Sequence, residues 1–197
     1  MTNHPTLSTM SAHELLTNRK SCARLTTPAP SKAQMNIIQT AALRVPDHAA
    51  LKPWQFVIFE GDEALSALGK IYADAALKTD PEVEPAQIER AKQLPHRAPM
   101  VILCIAKYAE HPKVPHFEQI ISAGCTVMAM QQAAFSMGLG AMWRTGSYAE
   151  NRHVHDAFNL TEQDQIVGFL YLGTPVHSVP DRTVPDFEDY FSYWKNC

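Results

Sequence analysis

The chain is short of several things, and each shortage closes a class of explanation. From Gln119 to Trp143 there is no charged residue, so that stretch does not read as a solvated surface. It does not read as a membrane span either, because Gln119, Ser122, Thr126, Gln131, Gln132 and Ser136 interrupt the apolar run. Cysteine is scarce: Cys22, Cys104, Cys125 and Cys197, with no C-x-x-C pair. Two of the four lie in apolar runs, which points to buried free thiols in a reducing cytoplasm rather than a disulfide framework. The net charge of -3 gives no basis for binding nucleic acid or an anionic membrane surface. There is no G-x-G-x-x-G, no P-loop and no G-x-S-x-G, and paired catalytic carboxylates have no clear candidate. The first nine residues are polar, contain Pro5 and lack the apolar core of a signal peptide. With Met10 as an alternative start, residues 1–10 are expected to form a flexible extension and residues 11–197 a single domain.

What is present is organised around the uncharged stretch. Ala123, Val127, Met130, Ala134 and Met137 fall at helical spacing, while Cys125, Met128, Ala133 and Phe135 fill the opposite side. A helix that is apolar all round is expected to be buried all round. Gly138-Leu139-Gly140 ends it, since glycine takes the left-handed cap at no steric cost. Trp143-Arg144-Thr145-Gly146 reads as a loop that carries an aromatic, a cation and a hydroxyl on a rigid support, which suggests a ligand site.

Taken in order, Ser11 and Glu14 form a capping box for a helix reaching about Arg19. Ser31 caps a helix over residues 32–44, with Met35, Ile38, Ala41 and Ala42 inward. A loop bracketed by Pro46 and Pro53 holds His48 beside Asp47. Strands are predicted over residues 55–59, 99–106 and 165–172, the last two apolar enough to be covered on both faces. Helices are predicted over residues 63–77, 86–94 and 150–158. The tail carries Pro175, Pro180 and Pro185, then Phe187, Tyr190, Phe191, Tyr193 and Trp194. So greasy an arm is expected to wrap something, most simply a second copy of the chain. Helices outnumber strands, and no short strand-helix-strand alternation marks a Rossmann domain.

Three cations and a hydroxyl lie together at Arg19, Lys20, Ser21 and Arg24. They suit a phosphate, but spacing alone favours a solvated helix end whose cations offset the C-terminal dipole. His153-x-His155 lacks a joining Cys or carboxylate pattern and reads as a solvated helical turn rather than a metal site. A chain with an anion anchor, an aromatic-cation segment and no acid-base machinery of its own suggests a cofactor that carries the chemistry.

These places together resemble the nitroreductase family of FMN-dependent enzymes, in its minimal short-chain branch. The matching pieces are Asn18-Arg19-Lys20-Ser21 with Arg24, Arg44-x-Pro46-Asp47-His48 leading to Pro53-Trp54, and Ser122-Ala123-Gly124. Gly138-x-Gly140-x-x-Trp143-Arg144-Thr145-Gly146 and Gly168-Phe169-Leu170-Tyr171-Leu172-Gly173-x-Pro175 complete the set. The resemblance implies an α+β sandwich: a mostly antiparallel sheet flanked by helices, in an intertwined homodimer with C-terminal arm exchange and FMN at the interface. It assigns Arg19, Lys20 and Ser21 to the FMN phosphate and ribityl chain, Arg44 and His48 to the flavin from the partner subunit, and Trp143, Arg144 and Thr145 to the near side of the flavin. It implies a ping-pong oxidoreductase that takes a hydride from NAD(P)H and reduces a small electron-poor acceptor such as a nitroaromatic or quinone. A non-catalytic FMN-storage or sensing protein would use the same site, and a cofactor-free dimeric adaptor is the third reading. Two departures stand out: Lys20 where many members have a second Arg, and Ala50, Leu51 and Lys52 where many carry Asn and Gln before the Pro-Trp pair.

Overall fold

The computed structural model describes residues 10–181 and 183–194. Apart from Met10, the expected N-terminal extension lies outside the described residues. Six α-helices and five strands follow one another. Helix α1 (Ala12–Asn18) opens with the expected capping box: the Ser11 hydroxyl oxygen accepts the Glu14 N–H at 3.2 Å and the Ser11 N–H donates to the Glu14 carboxylate at 2.7 Å. A second capping box, Ser31 with Gln34, opens α2 (Lys32–Ala42), which buries Met35, Ile38 and Ala42. Helices α3 (Gly61–Thr79), α4 (Pro85–Gln93), α5 (His116–Ser136) and α6 (Arg152–Ala157) complete the helical set.

The strands are β1 (Leu25–Thr26), β2 (Trp54–Glu60), β3 (Met100–Ala106), β4 (Gly140–Arg144) and β5 (Gln165–Pro175). Every pairing is antiparallel. β5 is central: Leu172 stands opposite Met100 of β3 and Ala141 of β4, and the strand's C-terminal end pairs with β1. β2 flanks β3 and has no partner on its other edge among the described residues. All seven residues of β3 are buried. Met100, Ile102, Cys104 and Ala106 join the core under α2 and α5, while Val101, Leu103 and Ile105 join the one under α3. This is why the strand reads as a continuous apolar run rather than an alternation. The fold is thus an α+β sandwich with one core on each face of an antiparallel sheet.

β5 carries a bulge. Cys104 is opposite Gly168 but Ile105 is opposite Ile166, so Val167 is the extra residue. The Val167 carbonyl accepts the Trp143 indole N–H at 2.9 Å. Gly168 has φ 149, and a Cβ there would strike the indole.

Two expectations need correction. The Trp143–Arg144 segment is not a loop but the end of strand β4. After the left-handed turn at Gly138, with φ 75, the chain reverses and pairs along β5. Gly140 permits the close approach, since a Cβ there would strike Leu25 and crowd Cys22 and Pro175. Nor is α5 buried all round. Ala123, Val127, Met130 and Ala134 are in the core, but Phe117 is 61%, Ile121 59% and Met128 38% exposed. The aromatic arm is likewise uncovered, with Trp194 92% exposed. Among the described residues no helix is long and apolar enough to cross a membrane.

Candidate functional site

The loop after α1 is fastened from below by a glutamine. Gln131, buried in α5, donates through Nε2 to the Ser21 hydroxyl oxygen at 3.2 Å and to the Ala141 carbonyl at 3.3 Å. The Cys22 N–H donates to the same Ala141 carbonyl at 2.8 Å. These bonds lock the loop onto β4. Because Ser21 accepts from Gln131, its own hydroxyl proton is left for another acceptor. Arg19, the C-cap of α1, holds Nη1 fully buried with no hydrogen-bond partner among the described residues. A buried cationic N–H without an acceptor costs about 1–3 kcal/mol or more, so Arg19 and Ser21 both leave a donor unmet. Lys20 is occupied differently: its ammonium donates to the Val179 carbonyl at 2.8 Å and to Asp181 at 2.5 Å, both on the C-terminal arm. A cavity of about 280 Å³ opens there, lined by Met10, Lys20, Cys22, Phe135 and Val179 among others.

β4 delivers the aromatic and the cation. Trp143 is fixed by the bulge carbonyl, and a Cβ on Gly124 of α5 would lie 3.7 Å from the indole Cη2, an ordinary contact. The Arg144 guanidinium sits 5.8 Å from the centre of the Tyr171 ring, a cation–π geometry. Burial pushes the Tyr171 phenol up, against the opposing pull of Arg97 and Arg144. Thr145 is exposed just beyond β4, and Gly146 turns the chain with φ 62.

Arg44 and His48 lie on a second patch. Arg44 is exposed, and its side chain has no hydrogen bond or ion pair among the described residues. His48 starts a short 3-10 helix, and its Nδ1 is 2.8 Å from the Glu118 carboxylate at the first turn of α5. The loop is held in an unusual shape: Ala49, Ala50 and Lys52 have φ of 63, 54 and 50. Three non-glycine residues in the left-handed region store strain, and Asp47 helps hold it by accepting the Lys52 N–H at 2.6 Å. Pro46, Asp47, His48, Glu118, Ile121, Ser122 and Cys125 line a cleft of about 410 Å³.

Within one chain, therefore, the structure brings Ser21 and Trp143 onto one locked platform and sets Arg44 and His48 apart on another. No hydrogen bond or ion pair among the described residues joins the two. Sequence reasoning missed Gln131, Glu118 and the Val167–Gly168 bulge. For Gln131 a signal existed, a polar side chain in an uncharged apolar helix. Glu118 lies 70 positions from His48, and nothing in the sequence links them. His155 is buried and its Nε2 lies 2.8 Å from the Ala149 carbonyl, a structural use.

The architecture defines the class as a helix-flanked antiparallel α+β domain with a basic loop at the end of its first helix. A family model described as "Nitroreductase family" matches residues 16–174. The Escherichia coli K12 protein named "Putative NAD(P)H nitroreductase YdjA" is 45% identical over 188 residues, covering 94% of this chain and all of that protein. The solved nitroreductase-like protein of Bacillus cereus superposes with a TM-score of 0.75 at 21% identity, covering the whole of both chains. The Bacteroides fragilis nitroreductase with bound FMN gives 0.70 at 18% identity, covering 95% of this chain and 100% of that one. The chain belongs to the nitroreductase family.

Proposed function

We propose that the protein is an FMN-dependent oxidoreductase that draws on NAD(P)H and reduces a small electron-poor acceptor. The observation that carries this reading is the pair of unmet donors on the loop after α1, Arg19 Nη1 buried without an acceptor and Ser21 with its proton free. A phosphate ester supplies the missing oxygens for both, so the residues present fit FMN. The names of the E. coli relative and the FMN-bound B. fragilis structure support the same choice. In this reading Arg19 and Ser21 hold the phosphate and Trp143, Arg144 and Thr145 border the ring. Lys20 adds its charge to the loop while its ammonium stays with the arm. When bound, FMN supplies the redox chemistry, taking hydride from NAD(P)H and passing electrons to a nitroaromatic, quinone or similar acceptor in ping-pong fashion. The protein supplies position and electrostatics: Arg144 is a fixed cation at the edge of the site, and no side chain need act as a nucleophile.

The same reading takes residues 11–197 as one FMN-binding domain in an intertwined homodimer with arm exchange. The uncovered Phe117, Ile121 and Met128, the open edge of β2 and the exposed aromatic arm support it. So does the separation of Arg44 and His48 from Arg19 within one chain, since a two-fold partner can supply them to the flavin. The free thiols Cys22, Cys104 and Cys125 support a reducing, cytoplasmic setting.

The test is the visible spectrum of the purified protein, with FMN restored if absent, before and after NADH or NADPH without oxygen. A flavin spectrum that bleaches is the expected result. One that persists with both nucleotides supports storage or sensing, and an absence of any flavin binding overturns the site. Arg19→Ala is expected to weaken FMN binding by about 1.5–3 kcal/mol, roughly ten- to hundredfold in Kd, measured by fluorescence titration.

A further inference from the structure

Glu118 belongs to none of the motifs, yet it makes the one hydrogen bond that His48 has among the described residues, 2.8 Å from Nδ1. We propose that Glu118 is a positioning residue: it holds His48 as the Nδ1–H tautomer and so makes Nε2 the acceptor for the N3–H of the bound flavin ring. This rests on the FMN reading above.

An ionised carboxylate can only accept, so the proton in this bond belongs to Nδ1. In the neutral imidazole the lone pair is then on Nε2, and the ring is an oriented acceptor rather than a donor. Asp47, the other carboxylate lining the cleft, is engaged with the Lys52 N–H, so Glu118 alone decides the tautomer. Among the described residues, the other titratable group in the cleft lining is the Cys125 thiol. Pro46, Ile121, Ser122 and Cys125 also line the cleft, a mainly apolar surface that suits an aromatic ring better than a polyol. An oxidised isoalloxazine carries a single N–H, at N3 between two carbonyls. A histidine that meets that ring as an acceptor has one place to bond. The strained turn over residues 49–52 and the carboxylate behind Nδ1 both spend stability on fixing His48, which is the pattern of a residue positioned for a ligand.

The test compares FMN with N3-methyl-FMN, which lacks that N–H, by flavin fluorescence titration at about pH 8. Wild-type protein is expected to bind N3-methyl-FMN at least about tenfold more weakly than FMN. Glu118→Leu should bind FMN about tenfold more weakly and N3-methyl-FMN as the wild type does, so that the discrimination disappears. Glu118→Gln, whose amide can donate to Nδ1 as well as accept from it, should keep only part of it. In the protein without flavin, 15N shifts should report Nδ1–H at His48 in the wild type and a tautomer mixture in Glu118→Leu. Equal wild-type affinity for the two flavins, persistence of the discrimination in Glu118→Leu, or an Nε2–H tautomer at His48 each overturns the proposal. Arg19→Ala separates the two levels. If it weakens FMN binding while the N3-methyl discrimination is missing, only the Glu118–His48 role fails. If it leaves FMN binding unchanged, the phosphate site itself is wrong.

Discussion

The two longest helices, α3 and α5, each close one core, and they finish their outer faces in opposite ways. α3 buries Leu65, Leu68, Gly69, Tyr72, Ala73 and Ala75, and turns Asp62, Ser66, Lys70, Asp74 and Lys78 outward at a spacing of one helical turn. That surface is complete in a single chain. α5 buries a comparable inner stripe but presents Phe117, Ile121 and Met128 outward. Uncharged beyond Glu118 in its first turn, it leaves one apolar side open in the chain. The contrast is between a face finished for water and one that leaves apolar side chains exposed, the face on which the proposed dimer would close, and the cleft holding His48 and Glu118 lies on that side.

The largest effect that would break this comparison is expected from Ile121→Asp. It would place a carboxylate in the face that the proposed dimer covers, and in size-exclusion chromatography with light scattering the mass should fall from that of two chains to that of one. Lys70→Glu on α3 should leave the mass unchanged. Retention of the dimer by Ile121→Asp would show that α5 is not the interface.

The next effect concerns two helix glycines. A Cβ on Gly69 would run into the Lys92 backbone of α4, so Gly69→Ala should cost about 1–3 kcal/mol and lower Tm by several degrees. Gly124 in α5 has only the far edge of Trp143 at 3.7 Å, and that substitution belongs at the small end of the series.

Between these lies Asp164, which sharpens the comparison because it needs no partner. It is buried and bonds Lys107 at 2.6 Å, the Tyr108 N–H at 3.0 Å and the Thr161 N–H at 2.8 Å, tying the end of β3 to the turn before β5. Burial would raise its carboxyl, but the bonds from Lys107, Thr161 and Tyr108 outweigh that and hold it below the usual value. A depressed folded value means the stabilisation is fully present above about pH 4 and is lost as pH falls through the folded value. Asp164→Asn should therefore cost about 1.5–3 kcal/mol at pH 7, with the gap to wild type narrowing in denaturant titrations as pH falls below the ordinary aspartate range. The loss should be the same in the Ile121→Asp background. The smallest change is expected from Gly124→Ala, within about 0.5 kcal/mol, since helix propensity gained offsets any crowding of Trp143.

Much of the fold was legible because its signals are local. Ser11 with Glu14 and Ser31 with Gln34 need only four residues to declare a helix start. β3 announced itself because both its faces are covered. β4 did not: Gly140, Trp143 and Arg144 have no alternation, and the strand exists because β5 offers it a ladder and Gly138 reverses the chain. The same distance-blindness hid the site's supports. Gln131 looked like a break in an apolar run rather than a fastener for Ser21. Glu118 and His48 meet only in three dimensions. The all-round apolar pattern of α5 predicted burial on every side, but in the chain Phe117, Ile121 and Met128 stay exposed, because no element packs over that side of the helix. The placing of Lys20 against Val179 and Asp181 could not be foreseen, because the arm's path back to the basic loop has no local signature.

The bulge at Val167 has a consequence for what changes β5 can accept. Ile166, Phe169 and Tyr171 fill the core under α3, while Val167, Leu170 and Leu172 fill the one under α2 and α5. Ile166 and Phe169 share a face although three positions apart, which a regular strand forbids. The bulge acts as a phase shift between two otherwise ordinary alternations. Deleting Val167 would bring the strand back into regular step with Ile166 still opposite Ile105, but it would remove the carbonyl that holds the Trp143 indole. Elsewhere in β5, where no extra residue absorbs the change, gaining or losing one residue would send the side chains on one side of it to the opposite layer, whereas exchanging one apolar residue for another costs only packing.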